Sequence, residues 1–127
     1  MKTQLLSLAL ILSVVVLFAC AGSTKFGESD TSVTIAKGSS ADVTLTLQTE
    51  GSHSGGTFDF TVTNQIGEGV TATVSPTSAT ADPDVTVTVT ITVDASTTAT
   101  YASVYVEAWD DDNQNGAGRS ISVTIPE

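Results

Sequence analysis

One cysteine, Cys20, leaves the chain without a partner for an internal disulfide. One histidine, His53, leaves it without an imidazole cluster for a transition metal. Four cations, Lys2, Lys25, Lys37 and Arg119, stand against 14 acids, for a formal net charge of −10. No basic patch can be assembled from so few cations, so nucleic acid is excluded as a partner. Aromatics are 6% and charged residues 14%, yet the hydrophobic fraction is 40%, too high for a disordered chain. Thr and Ser supply the polar surface that Lys and Glu supply elsewhere. The acidic balance favours solubility and attracts cations.

Catalytic signals are equally scarce. Nucleophilic catalysis needs a base beside the nucleophile. His53 sits in a Gly/Ser loop running from Glu50 to Gly56, the setting of a solvated side chain. There is no phosphate loop and no cysteine pair. Fourteen acids on a small domain make chance carboxylate pairs common, so no glycosidase pair is assigned. The sequence reads as non-enzymatic, with no catalytic residue and no required cofactor.

What it does have is alternation. From Val85 to Val93 every odd position is Val or Ile and every even one is Thr. A period of two is a β-strand with one dry and one wet face. β-Branched side chains suit that pleated surface. Something must cover the Val/Ile face, so a second layer is required. The same alternation marks six further strands around Val33–Ile35, Val43–Leu47, Phe58–Val62, Val70–Val74, Thr100–Trp109 and Ile121–Ile125. The segment Thr77–Asp84 reads as a crossover, and Asp82, Asp84 and Asp94 bracket the Val/Thr run as gatekeepers against edge pairing. Seven short strands with no helical pattern predict an all-β sandwich.

The N-terminus is different. Leu5 to Phe18 is an apolar run broken only by Ser7 and Ser13, of secretory length and short for a membrane span. It ends in Leu17-Phe18-Ala19-Cys20, which resembles the bacterial lipobox; Phe18 is larger than the residue usual there. The resemblance implies cleavage after Ala19 and acylation of Cys20. The expected organisation is a signal peptide over 1–19, a flexible tether over 20–31 and a sandwich domain over 32–127. The expected location is the bacterial envelope, on the extracytoplasmic side, with the membrane as partner through the lipid.

Gly69-Val70-Thr71-Ala72-Thr73-Val74-Ser75-Pro76-Thr77-Ser78-Ala79-Thr80, then the Val85 strand, then Thr98-Ala99-Thr100-Tyr101, resembles a bacterial immunoglobulin-like or fibronectin-III-like domain. The likeness covers about Ser32 to Ile125. It implies a seven-stranded immunoglobulin-like sandwich with a non-catalytic accessory, spacer or binding role, and it puts Tyr101 where such folds often carry a corner tyrosine.

Two polar features are candidate sites. Asp110-Asp111-Asp112-Asn113-Gln114-Asn115-Gly116 contains, from Asp111, the first half of an EF-hand-type loop. Asp110, Asp111, Asp112, Asn113 and Asn115 are therefore candidate ligands for weakly held calcium. The twelfth-position glutamate is missing, since that position is Ser122. The second feature is Tyr105, Glu107 and Trp109, which share one face of the sixth strand. Turned outward, they form a ligand platform. Turned inward, they cover a neighbouring strand. The expected role is structural or adhesion-like interaction with an envelope protein, and the alternative is a carbohydrate-binding module of a surface polysaccharide system. An exposed flat platform selects the alternative.

Overall fold

The computed structural model describes residues 22–27, 31–112 and 114–127, apart from the side chains of Asn64 and Gln65. The leader, Cys20 and Asn113 lie outside the described residues. Nine strands are present there: β1 (Ser23–Phe26), β2 (Ser32–Thr34), β3 (Ser40–Glu50), β4 (Gly56–Ile66), β5 (Val70–Ser75), β6 (Ser78–Ala81), β7 (Asp84–Val93), β8 (Tyr101–Asp110) and β9 (Gly116–Thr124).

They form two sheets, β1-β3-β7-β5 and β2-β9-β8-β4-β6. All neighbours are antiparallel except β2 and β9, which run parallel. The Val/Thr strand β7 is central in the first sheet. Val89 stands between Val43 of β3 and Val74 of β5, while Thr90 stands between Asp42 and Thr73. One face of β7 is thus a hydrocarbon row and the other a hydroxyl row. Val87, Val89, Ile91 and Val93 are buried. Opposite them, the second sheet contributes Phe58, Phe60, Val104, Val106, Ile121 and Val123. Each such side chain removed from water stabilises the fold by roughly 1.5–3 kcal/mol.

The strand count corrects the expected seven. The segment expected to be a tether contains β1, which pairs with β3 from Ser23↔Glu50 to Phe26↔Leu47. Phe26 is buried in the common core, so the folded unit starts before residue 32. The expected crossover contains β6, which pairs with the start of β4 and buries Ala81. Tyr101 is 53% exposed on the outer face of the second sheet, so it is not tucked into a corner.

Two buried threonines secure the loops. Thr49 Oγ1 donates to the Pro83 carbonyl. Thr97 Oγ1 donates to the Glu68 carbonyl and accepts from the Ala99 N–H at 3.1 Å. This pins the β7–β8 connection to the β4–β5 turn. There Gly69 holds φ +74°, a region that favours glycine.

Candidate functional site

Strand β8 alternates strictly. Ala102, Val104, Val106 and Ala108 point into the core, so Tyr101, Ser103, Tyr105, Glu107 and Trp109 point outward. Ile66 is opposite Ser103 and shares their face. The most exposed large apolar side chains among the described residues are Ile66 (64%), Tyr101 (53%) and Trp109 (41%), and all three stand on this one face. Clustering of that kind marks an interaction surface more than scattered exposure does. From Tyr101 to Trp109 the strand extends about 26 Å.

The floor of this surface is on β9. Trp109 is paired with Gly116, and Glu107 with Gly118. A Cβ built on Gly116 would sit 2.6 Å from Trp109 Cε3 and 2.7 Å from Cδ2. One built on Gly118 would collide with the Tyr105 phenol oxygen and lie 2.5 Å from Cζ. Each ring therefore occupies the level at which a neighbouring side chain would begin. A ring tethered on β8 can reach that level over β9 only by lying along the sheet. Tyr105 leans toward the Trp109 end, since Gly118 is diagonal to it. The two glycines are two residues apart, so the covered spots are separated by about 7 Å. Trp109 Nε1 donates to Glu107 Oε2 at 3.1 Å, which fixes the indole edge. Asp59, on β4, is exposed opposite Trp109, and Thr61 is opposite Glu107.

The sequence placed Tyr105, Glu107 and Trp109 on one face of the strand and left its direction open; in the structure that face turns outward. It missed Gly116 and Gly118 as the floor, and Ile66 and Tyr101 as extensions. Two glycines at alternate positions facing an aromatic strand were the available signal.

The acidic stretch forms the β8–β9 turn. Asp110 Oδ1 accepts from the N–H groups of Gln114 at 2.9 Å and Asn115 at 3.2 Å. Its Oδ2 accepts from Asn115 Nδ2 at 2.6 Å. Local desolvation pushes this carboxyl up, but those bonds, with His53 nearby, hold it on balance below its ordinary 3.8. Asp110 therefore closes the turn with both of its oxygens. Asp111 and Asp112 are exposed. No group of three or more His, Cys, Asp or Glu side chains able to hold a metal occurs among the described residues. A groove of about 330 Å³ separates the turn from the loop carrying His53. His53 Nδ1 is hydrogen-bonded to Thr24 Oγ1 at 2.6 Å, which ties the ring to β1.

No family model matches the sequence, and no curated protein sequence matches it. The fold is similar to that of a family 123 glycoside hydrolase from Clostridium perfringens, with TM-score 0.56 and 6% identity over 84% of this chain and 28% of that one. It is also similar to an SrpA adhesin mutant from Streptococcus sanguinis, with TM-score 0.51 and 13% identity over 84% of this chain and 58% of that one. The chain thus spans about a quarter and somewhat over half of these two. At such identities the likeness is one of fold: a two-sheet β-sandwich.

Proposed function

We propose that this chain is a non-catalytic carbohydrate-binding module with an immunoglobulin-like topology, held at the outer side of a bacterial membrane by a lipid on Cys20. The observation that carries the binding reading is the pair of rings laid over Gly116 and Gly118 with Trp109 open to solvent. A pyranose presents a flat face of C–H groups, and an indole lying parallel to the protein surface is shaped to receive it. Hydroxyls of Thr61, Ser103 and Ser120 share that outer face and supply hydrogen-bond partners at its sides.

The topology supports the immunoglobulin-like reading. Strands β1, β3, β7 and β5 correspond to A, B, E and D of such a sandwich, and β4, β8 and β9 to C, F and G. Strand β2 then continues A into the other sheet, and β6 is an addition beside C. Support for a non-catalytic role comes from His53 and Asp110, whose polar atoms hold loops together. The lipid anchor rests on the Leu17–Cys20 pattern, and detergent phase partitioning tests it: Cys20→Ser should move the protein into the aqueous phase.

Affinity electrophoresis through gels containing soluble polysaccharides tests the binding reading. Retardation of the wild type by at least one glycan, lost in Trp109→Ala, is expected. Equal mobility of both proteins in every glycan would contradict it.

A further inference from the structure

The chemistry around the rings selects among glycans. On the outer face of the second sheet, β9 contributes Gly116, Gly118, Ser120, Ser122 and Thr124. Strands β4 and β6 contribute Thr57, Asp59, Thr61, Ser78 and Thr80. No Lys or Arg stands there among the described residues. Arg119 is opposite Val106, on the inward register of β9. Lys25 belongs to the other sheet and Lys37 to the β2–β3 connection.

Carboxylates do stand there. Glu107 lies between Tyr105 and Trp109 along β8, and Asp59 flanks Trp109 from β4. One Glu107 oxygen is aligned by the indole N–H, so the negative charge is held at the edge of the stacking surface. Asp111 and Asp112 add exposed charge of the same sign beyond the Trp109 end. A glycan bearing uronate, sulfate or phosphate would bring like charge into this frame. A cation over the indole face gains from the ring quadrupole and from the flanking carboxylates together. The net charge of −10 draws cations in from a distance.

We infer that the platform takes a glycan carrying free amino groups, a polymer of unacetylated or partly acetylated amino sugar, laid along β8. The inference rests on the carbohydrate reading above and adds the charge class of the ligand. A basic peptide shares the charge, but the floor is flat: the rings fill the space over Gly116 and Gly118 and leave no socket there for a side chain. An extended strip of rings fits the repeating flat faces of a sugar polymer.

The test is calorimetric titration of the full chain with four probes of matched length: a glucosamine oligomer, its N-acetylated counterpart, an oligogalacturonate and a lysine oligomer. The glucosamine oligomer should bind about tenfold tighter than the N-acetylated one at low salt, in line with a cation over an aromatic ring beside a carboxylate. The gap should narrow as salt screens it, and the oligogalacturonate should not bind. Glu107→Gln and Asp59→Asn should each shrink the ratio of glucosamine-oligomer to N-acetylated-oligomer affinity. Equal binding of the two amino-sugar oligomers, or binding of the oligogalacturonate, would overturn the charge inference and leave the carbohydrate reading standing. Failure of all three glycans would overturn both. A lysine oligomer that binds as tightly as the glucosamine oligomer, indifferent to Trp109→Ala, would overturn the inference in favour of a basic protein partner.

Discussion

The indole of Trp109 lies across Gly116, its cross-strand partner, at the height where any other residue would begin its side chain. The aromatic residue and the glycine therefore function as a unit. The glycine leaves a gap in the sheet surface, and the ring fills it while keeping its other face wet.

Gly116→Ala should accordingly lift the indole off the sheet. Trp109 is the only tryptophan, so its emission reports this position alone. A red shift is expected, with a loss of about 1–3 kcal/mol from crowding. Gly118→Ala should displace Tyr105 with a smaller effect on the emission. An unchanged spectrum in Gly116→Ala would show that the ring does not rest there.

Val89 and Thr88 separate the two faces of β7. Val89 is fully buried, whereas Thr88 is partly exposed on the hydroxyl face. Val89→Asp should cost several kcal/mol by burying a charge. Thr88→Asp should cost much less. Urea midpoints measure both, and similar losses would mean that both faces are dry.

Phe26 tests the correction at the N-terminus. If β1 is part of the domain, Phe26→Ala should destabilise it by about 3 kcal/mol, the lower end for a buried ring because β1 is an edge strand. No change in the urea midpoint would return the segment to the role of a tether.

Acid stability follows from Asp94 and Asp110. Backbone and side-chain bonds from Ser96 hold Asp94 below its ordinary 3.8. At Asp110 desolvation opposes the shift, and the bonds from Gln114 and Asn115 outweigh it. A carboxyl lowered in the fold contributes stability above its unfolded value and loses it as pH falls through the folded value. The wild-type thermal midpoint should therefore fall between roughly pH 5 and pH 2. The double variant Asp94→Asn and Asp110→Asn should flatten that fall. Identical acid slopes would assign the loss to other groups.

These sites also show what the sequence could reveal. Val85–Val93 was readable because its dry and wet positions alternate without a break. Strand β1 was not, since Ser-Thr-Lys-Phe offers one apolar residue and gains its place through pairing with β3, far along the chain. Strand β6 was hidden for a related reason: Ala81 is too small to mark a dry face by itself. Alternation in β8 grouped Tyr105, Glu107 and Trp109, but their support depends on the β8–β9 register, which brings Gly116 under one ring and Gly118 under the other. The acidic run resembled a cation loop because both use oxygens at alternate positions. What alternation does not show is that Asp110 turns its oxygens back onto Gln114 and Asn115.

Titration of the Trp109 emission with a glucosamine oligomer is the most direct measurement of binding at this face. A saturable change is predicted for the wild type. In Tyr105→Ala the half-saturation point should move up by about tenfold, as expected for loss of one stacking ring at a hot spot. Emission that stays flat with this oligomer and with its N-acetylated and galacturonate counterparts, while the protein remains folded, would contradict the claim that this face binds carbohydrate.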